Sequence, residues 1–183
     1  MANKYFLDCE NMQPIIVRYA SSSDAELIAD LSRQTFYDSY AAHNTKEDMD
    51  KFMNEQFTKQ ALMNEVITPG NIFLLAYGDG EVKGYVRLRE SNAPTELNNI
   101  NAIEIARIYA CTNVIGKGIG SALMQKCIDV ARENGKQIIW LGVWPKNQRA
   151  VDFYIKWGFE KFADKEFILG NDVQYDWLMK KIL

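Results

Sequence analysis

Residues Asn113–Ala131 read NVIGKGIGSALMQKCIDVA, and the reading of this stretch decides the fold. Glycines fall at every second position, Gly116, Gly118 and Gly120, and helix-like sequence starts at once behind them. A residue without Cβ lets backbone N–H groups approach a bulky anion closely. A helix start adds unpaired N–H donors and partial positive charge. Lys117 can supply further charge and Ser121 a hydroxyl. The dinucleotide fingerprint G-x-G-x-x-G/A fails in both registers, because its sixth position is Ser121 counted from Gly116 and Leu123 counted from Gly118. The G-x-x-x-x-G-K-[ST] phosphate loop is absent as well. A glycine turn that binds nothing uses the same residues, so this loop alone leaves both readings open.

Working outward, Ala102–Ala110 reads as a central strand before the loop, Lys117–Asn134 as the helix, and Gln137–Val143 as a second central strand. Asn147–Trp157 follows as a helix closed by Gly158. Upstream, Ile15–Ala20 is a short strand, and Ser23-Asp24-Ala25-Glu26 offers a helix cap before apolar residues at helical spacing, Leu27 to Tyr40. A polar-capped helix begins at Asn44-Thr45, and another spans Lys59–Val66. Ile72–Tyr77 and Glu81–Arg89 form a hairpin about Gly78-Asp79-Gly80. The stretch from Ser91 to Asn99 is a polar loop. Phe159–Phe162 and Val173–Lys180 make a final pair of strands. This order predicts a mixed α/β or α+β sheet covered by helices, not a regular doubly wound alternation.

At 183 residues the chain suits one domain, expected over 15–183 behind a polar extension at 1–14. A net charge of −3 argues against general attraction to nucleic acid or anionic membrane. Cys9, Cys111 and Cys127 have no metal-ligand spacing and are odd in number, so reduced thiols in a cytoplasmic protein are the simpler expectation. His43 is the single histidine, which leaves no basis for a histidine metal site or a Ser-His-Asp triad. No metal is expected. No apolar run approaches membrane-spanning length, and the first residues lack the layout of a signal peptide.

Two motifs in order carry a resemblance. The first is Arg107-Ile108-Tyr109-Ala110 followed by Ile115-Gly116-Lys117-Gly118-Ile119-Gly120-Ser121. The second is Trp140-Leu141-Gly142-Val143-Trp144-Pro145-Lys146-Asn147 continuing to Phe153-Tyr154 and Gly158-Phe159. Together they resemble the GNAT superfamily of acetyl-CoA-dependent N-acetyltransferases, over nearly all of Ile15–Leu183. One position departs: Ile115 stands where the superfamily has Gln or Arg, which removes a side-chain phosphate ligand. TFYDSY at Thr35–Tyr40, IEIARIYA at Ile103–Ala110, WLGVWPKN at Trp140–Asn147 and the ending DWLMKKIL look like the bacterial PaiA-type spermidine/spermine branch. The fold so implied is α+β: a twisted, mostly antiparallel sheet with one parallel, splayed strand pair and helices on both faces.

The resemblance implies acetyl transfer from acetyl-CoA directly to a primary amine. It implies backbone contacts from Ile108, Tyr109 and Ala110 to the pantetheine arm. Gly116, Lys117, Gly118, Ile119, Gly120 and Ser121 would hold the diphosphate, and Asn147 the arm as it enters. Asn147 reads equally as a helix N-cap, and the two roles can coexist. The general acid falls on Tyr154, whose alternative is aromatic packing with Phe153 and Trp157. The general base falls on Glu104, fourteen residues before Gly118; strand alternation places it on the face of Ala106 and Ile108. Its alternative is a plain ion pair with Arg107 or a nearby lysine. Other members take the base from the strand at Leu141–Val143, where this chain has only Gly142. Cys111 has no neighbour to lower its pKa, so direct transfer is preferred to an acetyl-cysteine.

Carboxylates and aromatic residues over Asp24–Phe57 can bind a cationic amine, although solvated helix faces have the same composition. The acceptor expected is a small-molecule amine, a polyamine such as spermidine first. Another amine (a protein N-terminus, an amino acid, an antibiotic) and a non-catalytic acetyl-CoA sensor are the rivals. A homodimer is compatible with the sequence.

Overall fold

The computed structural model describes residues 14–90 and 93–183. The expected extension, apart from Pro14, lies outside the described residues, as do Cys9 and the Ser91 start of the polar loop. One seven-stranded sheet contains β1 (Ile16–Tyr19), β2 (Asn71–Gly78), β3 (Glu81–Arg89), β4 (Ala102–Ala110), β5 (Ile138–Val143), β6 (Glu160–Leu169) and β7 (Asp172–Ile182). Their order across the sheet is β1-β2-β3-β4-β5-β7-β6. All neighbours run antiparallel except β4 and β5. Helices α1 (Ala25–Tyr40), α2 (Lys46–Glu55), α3 (Lys59–Ile67), α4 (Ile119–Glu133) and α5 (Gln148–Lys156) complete the fold.

The continuous apolar run of β2 follows from burial on both faces. Leu74 and Ala76 join the core under α4 and α5, while Phe73 and Leu75 pack with Ile28 of α1. Helix starts are set by side chains. Asp24 accepts hydrogen bonds from the Ser21 amide at 2.8 Å and from Arg18 at 2.8 and 2.9 Å, so a short 3₁₀ turn precedes α1. Thr45 accepts from the Asp48 amide at the start of α2.

Two features of the sheet matter for the site. The parallel pairing of β4 with β5 runs from Ala102↔Ile138 to Ile105↔Leu141 and stops. Beyond it the strands part, and Ala106–Ala110 lose their neighbour on that side. The second is a bulge in β4. Arg87 pairs with Arg107 and Leu88 with Ile105, so Ala106 is an extra residue. A bulge shifts the alternation by one position. Ile103, Ile105, Ile108 and Ala110 therefore share the α4 face. The expectation that Glu104 shares a face with Ile108 is corrected by this extra residue.

The last hairpin is longer than its sequence predicts. Ala163–Leu169 carry no strand signal in the sequence, because β6 is the sheet edge and its Asp164, Lys165 and Glu166 are exposed. A second bulge between Lys161 and Ala163 further breaks the alternation. The hairpin tip folds onto α2. Gly170 has φ +65°, and a Cβ there would lie 2.5 Å from Asp48 Cα. The Asn171 amide donates to Asp48 Oδ1 at 2.8 Å.

Candidate active site

A cleft of about 1160 Å³ opens where β4 and β5 separate. It is walled by the ends of these strands and by the start of α4, α5 and the end of α1. Its three regions differ in chemistry.

At the α4 end, Gly116 (φ +82°) and Gly118 (φ +89°) adopt the left-handed backbone that carries the chain from the Thr112–Val114 turn into the helix. Gly118 is the N-cap and contributes no side-chain cap. Intrahelical bonding begins with the Ala122 amide on Gly118 O at 2.9 Å, so the amides of Ile119, Gly120 and Ser121 precede the ladder. Gly116, Gly118, Gly120 and Ser121 line the cleft, and so does Ile115, 38% exposed. Lys117 and Ile119 do not line it. The Lys117 amide is already spent on Val114 O at 3.1 Å. The Ile119 side chain packs into the core; only its backbone belongs to the loop. A Cβ on Gly120 would meet nothing closer than the Phe153 ring at 3.7 Å, so the chain's own packing does not require glycine there.

In the middle of the cleft stand Ile108, Tyr109 and Ala110 on β4 and Asn147 and Tyr154 on α5. Asn147 Oδ1 accepts from the Ala150 amide at 3.2 Å, which makes it the N-cap. Its side-chain NH₂ has no partner among the described residues. Tyr154 is 7% exposed, with Phe153 and Phe159 against its ring. Burial, then the neighbouring Tyr40 and Cys127, pushes its phenol above the usual range, so it carries its proton throughout the neutral range. Burial also raises the Cys111 thiol, and Cys111 is not among the cleft-lining residues.

The third region lies under the end of α1. Tyr109 OH donates to Tyr40 OH at 3.4 Å. Trp144 packs against Tyr40 and His43, with ring centroids 6.0 and 5.4 Å apart. Asp38 and His43 line the same wall. Glu104 is not on the cleft. Its carboxylate is 8% exposed and paired with Arg89, through Nε and through Nη2 at 3.0 Å. Arg107 and Arg87 share Glu65 instead. The structure thus brings together Tyr154, Asn147, the β4 backbone and the glycine loop, and leaves Glu104 off the cleft, paired with Arg89.

Sequence reasoning missed Asp176. It sits on β7 across from Lys165 of β6, and its Oδ2 lies 3.6 Å from the position of a Cβ on Gly142. It makes no hydrogen bond or ion pair within 4.0 Å among the described residues. Burial pushes its carboxyl up to about 6, against the opposing pull of Lys165. The signal was weak: one acidic residue in a strand otherwise read as hairpin. Among the described residues no cluster of His, Cys, Asp and Glu could hold a metal ion, and no helix is long and apolar enough to cross a membrane.

Comparison with known proteins fits this geometry. Residues 28–159 match the model of the acetyltransferase (GNAT) family. An uncharacterized N-acetyltransferase of the pepI 3′ region in Lactobacillus delbrueckii subsp. lactis is 38% identical over 92% of this chain and 96% of its own length. A spermidine N(1)-acetyltransferase of Thermoplasma acidophilum is 25% identical over 80% of this chain and 88% of its own. The crystal structure of the PaiA N-acetyltransferase of Thermoplasma acidophilum in complex with coenzyme A superposes with a TM-score of 0.75 at 23% identity, over 93% of this chain and all of that one. A strand pair that splays, a glycine loop that opens a helix and a family match across most of the sheet agree: the chain belongs to the GNAT acetyltransferase family and is an N-acetyltransferase.

Proposed function

We propose that residues 15–183 form one acetyltransferase domain that moves the acetyl group of acetyl-CoA to a primary amine of the polyamine class, in the manner of the PaiA-type branch. One observation carries the reading. The cleft has unladdered amides at one end, a protonated phenol in the middle, and the Asp38 carboxylate with the Tyr40 and Trp144 rings at the other.

Acetyl-CoA supplies the reactive thioester when bound. The amides of Gly116, Gly118, Ile119, Gly120 and Ser121 suit its diphosphate, because they sit at a helix start with no side-chain cap to compete. Lys117 adds only the charge of its side chain. The backbone of Ile108, Tyr109 and Ala110 is open on the β5 side and can pair with pantetheine amides as an added strand would. The NH₂ of Asn147 can donate to the same arm. Tyr154 holds the proton that a departing thiolate needs. Glu104, the base expected from sequence, would have to leave Arg89 and act through water.

The acceptor class follows from the wall that faces Tyr154. Asp38, Tyr40 and Trp144 combine negative charge with ring faces, which favours an ammonium over a neutral amine. The similarity to a spermidine N(1)-acetyltransferase supports the same class. Thiol release with acetyl-CoA should be measured against spermidine, spermine, amino acids, peptide N-termini and aminoglycosides. Polyamines should give the highest kcat/KM. Faster turnover of amino acids or peptides would move the acceptor class.

A further inference from the structure

We infer that Asp176 is the residue that binds the acceptor's ammonium and takes its proton. The inference rests on the acetyl-transfer reading above and assigns the part of the reaction for which Glu104 is badly placed. Three geometric facts support it. The β4–β5 pairing ends at Leu141, so the next residue, Gly142, lies at the opening between the strands and lines the cleft. Gly142 has no side chain, and the Asp176 carboxylate comes within 3.6 Å of where one would start. Leu178 pairs with Gly142 and Trp177 with Val143, so Asp176 lies one step further toward the opening.

The face is the acceptor's. Trp177 and Met179 pack with the α4 core, whereas Leu178 packs with Trp140 on the other face. Alternation puts Asp176 with Leu178 and Gln174. Gln174 donates to Asn44 Oδ1 at 2.7 Å, beside the corner between α1 and α2. The charged and titratable groups facing the Asp176 carboxylate are Lys165 from β6 and Tyr40 from α1; β5 offers only Gly142. Among the described residues the carboxylate therefore has neither a hydrogen bond nor a salt-bridge partner, and it lies directly behind Gly142, which lines the cleft.

The step balances as follows. The ammonium gives one proton to Asp176, and the freed lone pair forms a C–N bond at the thioester carbon. The C–S bond breaks as Tyr154 protonates the sulfur. The amide nitrogen's surplus proton then restores the Tyr154 phenol. Asp176 releases its proton to water, and the products are the N-acetylated amine, the free thiol and one proton.

A carboxyl that titrates near 6 sets the pH dependence. Below that value Asp176 is protonated, can accept nothing, and kcat/KM falls. Stability has the opposite sign. The folded pKa exceeds the ordinary carboxyl value of 3.8, so the fold favours the protonated form and loses stability as pH rises through 6. Asp176→Asn should then raise Tm at pH 7.5 while lowering kcat/KM by roughly 10²–10⁴-fold and flattening the acidic limb. Asp164→Asn, an exposed carboxylate of β6 paired with Lys161, should change neither.

Spermidine binding by calorimetry at pH 7.5 provides a readout independent of turnover. It should weaken about tenfold or more in Asp176→Asn. Full turnover with an intact acidic limb in Asp176→Asn overturns the assignment, as does a limb that persists there but disappears in Glu104→Gln. Should the wild type turn over no amine at all, the acetyl-transfer reading fails by itself. Spermidine binding then decides on Asp176: equal affinity in wild type and Asp176→Asn refutes it, and lost affinity upholds it as an ammonium site.

Discussion

The two ends of the cleft are built in opposite ways. The cofactor end uses backbone: bare amides of the α4 start and the open edge of β4. All of it comes from one continuous segment, Ala102–Ser121, with Asn147 and Tyr154 close behind. The acceptor end uses side chains brought from opposite ends of the chain. Asn44 meets Gln174 across 130 residues, Asp48 meets Asn171 across 123, and Lys51 reaches Asn171 across 120. Backbone geometry is written locally in glycines and strand order; a side-chain wall depends on how distant elements fold together. One end should therefore tolerate side-chain changes and resist backbone ones, and the other the reverse.

Tyr154 stands between the two ends, and the largest effect is expected there. Tyr154→Phe removes one hydroxyl from a buried ring that Phe153 and Phe159 hold in place. The ring packing survives, so folding and both KM values should stay near wild type. Steady-state kinetics should show kcat lower by roughly 10²–10⁴-fold. A kcat within threefold of wild type would assign Tyr154 to packing alone.

The contrast between the ends explains what the sequence disclosed. The succession of strands and helices and the glycine loop were legible, because each depends on residues within one segment, whereas the parallel splayed pair came only with the family resemblance. No pattern in the sequence reveals that the Lys117 amide is used by Val114 O, which leaves that residue only its side-chain charge to offer. Glu104 was misplaced by one residue's worth of alternation: Ala106 looks like any strand residue, and only the pairing with β3 shows it as an insertion. Asp176 was invisible for a different reason. Its meaning comes from Gly142 on another strand, and from the edge hairpin whose polar residues hide its own length.

At the acceptor end, Gly170→Ala tests the long-range joint. The new Cβ would come within 2.5 Å of Asp48 Cα and 2.6 Å of its carbonyl oxygen, and the backbone is left-handed there. Backbone cannot yield as a flexible side chain can, so the hairpin tip must lift from α2. Thermal unfolding should report a loss of about 1–3 kcal/mol. The KM for the amine should rise while that for acetyl-CoA holds, since the tip packs on Asp48 of α2. Equal changes in both would mean that the two ends are not separable.

Gly120→Ala should separate stability from binding at the cofactor end. The position is the second residue of α4, and its Cβ has ordinary contact distance to Phe153. Replacing glycine by alanine within a helix stabilises by up to about 1 kcal/mol, so Tm should rise. The same methyl group faces the cleft beside the amides proposed for the diphosphate. The KM for acetyl-CoA should increase about tenfold, equivalent to roughly 1.4 kcal/mol. A higher Tm with an unchanged KM would leave the glycine without a ligand to explain it.

The finest comparison sets two N-caps against each other. Thr45 caps α2 by accepting from the Asp48 amide at 3.1 Å, and Asn147 caps α5 by accepting from the Ala150 amide at 3.2 Å. Each bond satisfies one orphan donor at a helix start, so either change to alanine should remove about 1 kcal/mol of stability. Their kinetic effects should differ. Thr45 is spent entirely within its own helix turn, through Asp48, and touches nothing in the cleft. Asn147 still has two N–H donors with no partner among the described residues, on a wall that faces the open edge of β4. Asn147→Ala should raise the KM for acetyl-CoA severalfold at the same stability cost, and Thr45→Ala should leave it alone. If both variants lose stability and neither changes that KM, Asn147 is a cap and nothing more, and the pantetheine arm is held by the β4 backbone without it.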